Sequence, residues 1–141
     1  MPLPTHIRLE FVTPERAIVH DEVDEIELPL AEGYAGLLPG HAPLLAALQV
    51  GEMWYRKGAE RTFVFLAGGF VEVVGDRVSI LAQVAEKADD IDVARAEAAK
   101  RRAEEILARP TSEMDMARAR IALLRALARL QVSSKQYRPR A

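Results

Sequence analysis

The sequence contains no cysteine, which excludes disulfide bridges, thiol catalysis and cysteine metal sites. Its three histidines, His6, His20 and His41, lack the spacing of metal ligands, so no metal is required. No apolar run approaches the roughly 20 residues that a membrane helix needs, and we expect no direct membrane insertion. The first residues show neither the basic nor the apolar region of a signal peptide, so we expect no secretion signal.

Glycine is absent after Gly75, and seven of the eight aromatic residues lie at or before Phe70. Charge divides in the same way, because residues 1–87 hold 7 basic and 13 acidic side chains whereas residues 88–141 hold 12 and 8. Half of all residues are hydrophobic and 28% are charged, a globular balance. We therefore predict two parts of different architecture, residues 1–87 and residues 88–141.

The first part alternates apolar and polar residues with the period of a β-strand. Ile7, Leu9 and Phe11 alternate with charged neighbours, and the pattern returns around residues 26–30, 63–65, 71–73 and 78–84. Two short turns, at residues 57–60 and at Gly75-Asp76, separate neighbouring strands. We predict an α+β chain that starts with an antiparallel β-sandwich.

The second part has helical composition and predicts an antiparallel two-helix hairpin. Asp89-Asp90 is predicted to cap a first helix over residues 91–109, and Thr111 or Ser112 to cap a second that ends near Val132. The expected apolar stripe of the second helix is formed by Ile121, Leu124, Leu127 and Ala128. Large apolar residues are few, so we expect a partner surface or a ligand to hold the hairpin, and we expect it to move.

No catalytic motif is present. The sequence has no phosphate-binding Walker loop, no Gly-x-Ser-x-Gly, no paired histidines and no recognisable acid/base pair of carboxylates. We therefore expect a chain that is not itself an enzyme.

A rigid loop at residues 33–44, GYAGLLPGHAPL, contains three glycines and two prolines. Together with VTPER at residues 12–16, GGFVEV at residues 68–73 and the start of an alanine-rich hairpin at residue 91, it resembles the epsilon subunit family of bacterial F-type ATP synthases. The resemblance covers essentially the whole chain. Tyr34 stands where some members of that family carry an acidic residue.

This resemblance implies a rotating central-stalk subunit of a proton-translocating ATP synthase, which couples rotation to ATP synthesis from the cytoplasmic face of the bacterial plasma membrane. The sandwich would contact the gamma subunit and the ring of c subunits, through a loop that includes Gly36, Pro39, Gly40 and His41. The hairpin would lie folded on the sandwich or extend along gamma into the alpha/beta catalytic head. The extended form inhibits ATP hydrolysis in this family. For His41 itself, a structural hydrogen-bonded role is the alternative.

Residues 91–96, IDVARA, match the motif that is associated with ATP binding in some bacterial epsilon subunits. The resemblance implies a regulatory ATP site formed by Glu86, Ile91, Asp92, Arg95, Arg102, Arg125 and Arg129. Helical spacing is compatible, since residues three, four or seven apart share a helix face and guanidinium groups bind phosphate well. The alternative is a solvated, salt-bridged helix face.

A basic stretch begins at Arg118, after which no acidic residue occurs. In the extended state its arginines, Arg118, Arg120, Arg125 and Arg129, are expected to meet acidic loops of the catalytic subunits. The same side chains cannot serve ATP and those loops together, so loss of ATP would free them to inhibit. Two further hypotheses compete: a free-standing nucleotide sensor and a nucleic-acid binder, the latter disfavoured by the acidic first part.

Overall fold

The computed structural model describes residues 4–136. Eight strands come first, followed by a short 3-10 turn over Ala88–Asp90 and two helices. The elements are β1 (Ile7–Val12), β2 (Ala17–Val23), β3 (Glu25–Leu30), β4 (Gly33–Leu37), β5 (Leu44–Ala47), β6 (Gly51–Lys57), β7 (Glu60–Val74), β8 (Arg77–Lys87), α1 (Val93–Ala108) and α2 (Glu113–Ser133). The predicted fold, a β-sandwich followed by a helical hairpin, is confirmed.

All eight strands belong to one sheet that folds over itself. The order is β2-β1-β8-β7-β6-β3-β4, and β5 pairs with the second half of β7 beyond the end of β6. One pair, β1 with β8, is parallel, whereas the other pairs are antiparallel. The enclosed core is made of large side chains that are fully buried, including Leu9, Phe11, Ile26, Leu28, Leu37, Met53 and Leu66.

The alternation of inward-facing and outward-facing residues along strand β7 reverses at Gly68 and Gly69. Val64 and Leu66 point into the core before the two glycines, and Val71 and Val73 do so after them. Gly69 has a φ of 121°, and a Cβ there would lie 2.0 Å from the carbonyl oxygen of Leu81. Because only glycine fits, this position allows the strand to bend between its two halves.

The two predicted hairpin turns are confirmed. Gly58 and Ala59 link β6 to β7 with Lys57 paired to Glu60, and Gly75 and Asp76 link β7 to β8 with Val74 paired to Arg77. Both glycines have a positive φ, which this turn chemistry requires. The sandwich therefore follows the local rules read from its sequence.

The start of α1 differs from the prediction. Asp89 and Asp90 lie in the 3-10 turn, and the N-cap is Asp92, whose side chain accepts a hydrogen bond from the backbone N–H of Arg95 at 3.1 Å. A carboxylate three residues before a free N–H is the usual capping geometry, so α1 starts two residues later than expected. Ser112 caps α2 in the same way, as predicted.

The predicted apolar stripe of α2 is wrong in three of its four members. Ile121, Leu124 and Leu127 are exposed, and only Ala128 of the predicted set is buried. The buried positions between α1 and α2 are alanines instead: Ala96, Ala103, Ala119 and Ala126. Small side chains let the helix backbones approach closely. The two helices therefore pack through their alanine faces and leave the larger apolar residues on the outer surface.

Candidate functional site

The hairpin is attached to the sandwich through the C-terminal half of α2. Val132 is completely buried and packs with Ala128 against Phe65 and Ala67 on the outer face of β7. We call this group the docking cluster; its buried members are Phe65, Ala67, Ala88, Ile91, Ala128 and Val132. It is much smaller than the core of the sandwich, so the attachment rests on few apolar contacts.

Polar contacts border the docking cluster on both sides. The Nε of Arg129 donates to Oε1 of Glu86 at 2.6 Å, and the same guanidinium lies 4.5 Å from the ring centre of Phe65. Farther along, the side-chain amide of Gln136 donates to the carbonyl oxygens of Ala88 and Ile91, at 2.9 and 3.0 Å. These bonds fix the end of α2 to the segment that leads into α1.

A second acidic group, Glu52 on β6, lies under the end of α2. Its Oε1 is 3.8 Å from Nζ of Lys135, and Lys135 also lies 4.3 Å from the ring centre of Phe63. Oε2 of Glu52 is buried and has no hydrogen-bond partner within residues 4–136. Burial raises the pKa of Glu52 above its ordinary value, although the neighbouring ammonium opposes the shift.

Helix α1 is held differently. It packs against α2, and within the described residues no hydrogen bond or ion pair joins it to a strand. A cavity of about 640 Å³ separates it from β8 and from the turn between β1 and β2. Its lining includes five of the seven residues predicted from the sequence: Glu86, Asp92, Arg95, Arg102 and Arg129.

The charges that line the cavity are unequally satisfied. Glu86 is paired with Arg129, and Asp92 caps α1. In contrast, the guanidinium groups of Arg95 and Arg102 have no ionic partner in the part of the chain that the structure describes. The cavity therefore presents free positive charge from one face of α1, in the size range of small-molecule pockets.

Two predicted residues are not brought to the cavity. Ile91 is 5% exposed and belongs to the docking cluster, where its carbonyl oxygen accepts from Gln136. Arg125 does not line the cavity either, and its Nε is buried without a hydrogen-bond partner among residues 4–136. The structure thus separates a cavity-lining set of five from two residues beside it.

Sequence reasoning missed the opposite wall of the cavity. Thr13, Glu15 and Arg16 from the β1–β2 turn and Gln83 from β8 line it as well. The residues of the turn occur in the VTPER segment, but nothing in that segment indicates which tertiary surface it faces. The signal available was charge alone, since Arg16 is one of only seven basic residues in the first part.

The predicted loop over residues 33–44 is shorter in the structure, because residues 33–37 form β4 and Leu44 begins β5, and a tight turn lies between them. The N–H of His41 donates to the carbonyl oxygen of Leu38 at 3.1 Å, and Gly40 has a φ of 85°. Nδ1 of His41 lies 2.7 Å from the carbonyl oxygen of Ala42, so this histidine has a local hydrogen-bonding role. Gly36 and Gly40 are exposed, whereas Pro39 and His41 are half-buried.

A row of apolar side chains, not predicted from the sequence, crosses the outer surface of the sandwich. Val12, Leu81, Phe70 and Ala47 are neighbours on four adjacent strands, β1, β8, β7 and β5. Leu81 is 53% exposed and Phe70 58% exposed. The outward direction of Phe70 follows from the alternation around Val71 and Val73, and it could have been read from the sequence.

Among the remaining predicted residues, Arg118 and Arg120 are exposed on α2 and do not belong to the docking cluster. Residues 4–136 contain no group of His, Cys, Asp and Glu side chains that could hold a metal ion. None of the helices described is both long enough and apolar enough to cross a membrane.

Comparison with known proteins gives consistent matches. Residues 6–88 match the beta-sandwich domain of the ATP synthase Delta/Epsilon chain, and residues 89–134 match its long alpha-helix domain. The ATP synthase epsilon chain of Solibacter usitatus is 43% identical over 134 residues, covering 95% of this chain and all of that protein. The epsilon chain of Herpetosiphon aurantiacus is 49% identical over 127 residues, covering 90% and 93%.

Solved structures share the fold. A chain of the Euglena gracilis mitochondrial ATP synthase, in a structure of OSCP, F1 and the c-ring, aligns with a TM-score of 0.82 at 23% identity, over 91% of this chain and 81% of that one. A chain from the central stalk and c-ring of the Tetrahymena thermophila enzyme aligns with a TM-score of 0.58 at 15% identity, over 95% and 98%.

Proposed function

The chain belongs to the ATP synthase delta/epsilon family, and from this premise we propose that it is a non-catalytic regulator in the central stalk. In this proposal residues 1–87 dock on the gamma subunit and the c ring, and residues 88–141 form a movable hairpin. The complex holds the subunit peripherally at the cytoplasmic face of the bacterial plasma membrane. The matches to epsilon chains over nearly the whole length support this assignment.

The observation that carries the regulatory part is the cavity between hairpin and sandwich. Five of the residues that the family resemblance implies for ATP, from β8, α1 and α2, line one space of about 640 Å³. Arg95 and Arg102 offer unpaired guanidinium groups for phosphates, and Asp92 and Glu86 offer carboxylates for adenine or ribose. We propose that ATP binds there as a regulatory ligand.

The two residues outside the cavity keep supporting roles in this proposal. Ile91 anchors the segment that positions Asp92, because it is buried in the docking cluster. Arg125 remains a candidate ligand because its Nε is buried without a partner within the described chain. Such an unsatisfied donor is unfavourable unless another group binds it.

The small number of contacts that attach the hairpin supports the proposal that it can undock. Its attachment depends on the docking cluster, the Arg129–Glu86 bond and the contacts of Lys135 and Gln136. A ligand that binds only the docked form stabilises it by RT ln(1 + [L]/Kd), about 0.4 kcal/mol when [L] equals Kd and about 2.7 at a hundredfold excess. ATP at high occupancy would therefore hold the hairpin down.

Release of the hairpin would expose its arginines. In the docked form Arg129 is engaged by Glu86 and Phe65, whereas Arg118 and Arg120 are already exposed. We propose that the extended hairpin inhibits ATP hydrolysis by placing Arg118, Arg120, Arg125 and Arg129 against acidic loops of the catalytic subunits. Arg129 cannot serve both states, which makes docking and inhibition mutually exclusive.

Two surfaces of the sandwich support docking on the rotor. One consists of Gly36 near the end of β4 and the turn with Pro39, Gly40 and His41; the other is the apolar row with Phe70 and Leu81. Exposed apolar rows on a well-packed domain mark interaction surfaces. We assign the turn to contacts with gamma and the c ring, and the apolar row to a protein surface of the same rotor.

Nucleotide binding is tested by calorimetric titration of the full chain with ATP. Arg95→Ala should weaken binding at least tenfold, since a charge-assisted hydrogen bond is worth about 1.5–3 kcal/mol. Arg101→Ala is the matched control, because Arg101 is exposed on the same helix and does not line the cavity. Equal effects of the two variants, or no binding by the unchanged chain, would contradict the ATP site.

Assembly and inhibition are tested on the complete complex. A chain that ends at residue 87 should still assemble with gamma, and the resulting complex should hydrolyse ATP faster than the complex with the full chain. Failure to assemble would make the hairpin structural instead of regulatory. ATP binding without any affinity for gamma would instead favour a free-standing nucleotide sensor.

A further inference from the structure

The cavity has a wall that belongs to the sandwich alone, the turn between β1 and β2. The N–H and the hydroxyl of Thr13 both donate to the carbonyl oxygen of Arg16, at 2.9 and 3.2 Å. The N–H of Arg16 donates back to the hydroxyl of Thr13 at 3.3 Å. These bonds use only the backbone of Arg16, so its side chain is free to extend into the cavity that it lines.

The guanidinium of Arg16 has no ionic partner within residues 4–136. The same holds for Arg95 and Arg102 on the facing helix, so three unpaired cations line one space from two sides. Of the three acidic residues in the lining, Glu86 is paired with Arg129 and Asp92 caps α1, and Glu15 is exposed on the turn itself. A polyanion bound between the two walls would form ion pairs with these guanidinium groups and reduce the repulsion among them.

Helix α1 lacks any other tie to the sandwich. Its N-terminal end is positioned by Ile91 and its long face by α2, but no hydrogen bond or ion pair links α1 itself to β1, β2 or β8 in the described part of the chain. The space between them is the cavity. A ligand that fills it would contact both walls.

We propose that the nucleotide phosphates are bound from both parts of the molecule, by Arg16 of the sandwich and by Arg95 and Arg102 of α1. Bound nucleotide then links α1 to the sandwich, a link that the protein alone does not make. This inference rests on the proposed ATP site and adds Arg16 to it, a ligand from the sandwich beside Glu86 of β8.

The two-sided site explains how a ligand could control docking. A ligand changes an equilibrium between two conformations only by the difference between its affinities for them. A site formed within the hairpin alone could persist after the hairpin undocks, and its ligand would then change the docking equilibrium little. A site that needs Arg16 exists only when the hairpin lies on the sandwich, so its full affinity acts on docking.

The test is a calorimetric titration of the full chain with ATP, with and without Mg²⁺. Arg16→Ala should raise Kd about tenfold or more, and Arg16→Lys should restore most of the loss because it keeps the charge. Arg61→Ala is the matched control: Arg61 is an exposed arginine of the sandwich that lies over Trp54, away from the cavity. Hydrogen exchange of α1 under ATP gives a second readout, and its ATP-induced slowing should be smaller in Arg16→Ala.

The outcomes separate the two proposals. If the unchanged chain binds ATP and Arg95→Ala weakens binding but Arg16→Ala does not, the phosphates are bound without Arg16 and the two-sided inference is wrong. If Arg61→Ala weakens binding as much as Arg16→Ala, the effect is general charge and the inference is equally wrong. If the unchanged chain binds no ATP, both proposals fail.

Discussion

The sandwich and the hairpin bury different kinds of side chain. The sandwich encloses Phe11, Met53, Leu66 and many other large apolar residues, whereas the interior of the hairpin is made of alanines such as Ala103 and Ala119. Buried apolar area supplies most of the stabilising free energy, at about 25 cal/mol per Å². The difference shows that the sandwich holds itself together, while the hairpin depends on the surface to which it is attached.

Strand β7 contains the same contrast within one element. Before Gly68 its outer residues Phe63 and Phe65 are covered by α2, and after Gly69 its outer residue Phe70 is 58% exposed. The outer face of the first half contacts the hairpin, and the outer face of the second half is exposed. One strand therefore connects the hairpin contact to the proposed rotor contact.

The largest expected effect concerns the sandwich core. Phe11→Ala should lower the free energy of unfolding by about 3–5 kcal/mol, because Phe11 is completely buried and its removal leaves a cavity. Phe70→Ala, the matched control on the exposed surface, should change it by less than about 1 kcal/mol. Denaturant unfolding of the full chain measures both. Similar losses for the two variants would mean that the core is not where the structure places it.

A smaller effect is expected at the attachment of the hairpin. Arg129→Ala removes a 2.6 Å charged bond and leaves Glu86 partly buried without its partner, which should weaken docking by about 1.5 kcal/mol. The opening free energy measured by amide exchange in α1 and α2 should fall by about this amount and stay below that of the sandwich. Arg118→Ala is the control, since Arg118 is exposed and outside the docking cluster. An equal opening free energy in the helices and in the sandwich would contradict the division into two parts.

The smallest expected effect is a dependence of docking on pH. Burial raises the pKa of Glu52 above its ordinary value of 4.5, despite the opposing charge of Lys135 and with help from Glu27. The docked form therefore holds this proton more tightly than the released form, so docking should weaken as pH rises from about 4.5 through the raised pKa and then stay constant. Glu52→Gln should abolish this trend in amide exchange measured against pH. An unchanged trend in the variant would assign it to another group.

Local patterns predicted the fold well and the site only in part. Alternation located the strands because a sheet with one buried face must repeat every two residues, and Gly58 and Gly75 marked the turns. The exposed stripe Ile121, Leu124 and Leu127 was misread because hydrophobicity favoured the larger residues, whereas close helix packing selected the alanine face. Patterns along the chain do not report which of two faces a partner covers.

The candidate site shows where sequence reasoning ends. The family resemblance implied seven ATP residues, and five of them share one cavity in the structure. Arg16 lies in the same lining yet is 79 positions before Arg95, and only the tertiary fold brings the β1–β2 turn opposite α1. Ile91 was placed among the ligands, but it is buried below the end of α2.

Hydrogen exchange of the full chain with and without ATP tests the central claim most directly, that a stable sandwich carries a hairpin whose docking ATP controls. We predict that without ATP the amides of β7 and β8 exchange only through global unfolding, whereas those of α1 exchange through local release at a lower opening free energy, and that ATP slows the exchange of α1. The same opening free energy in both regions, with no response of α1 to saturating ATP, would contradict the account.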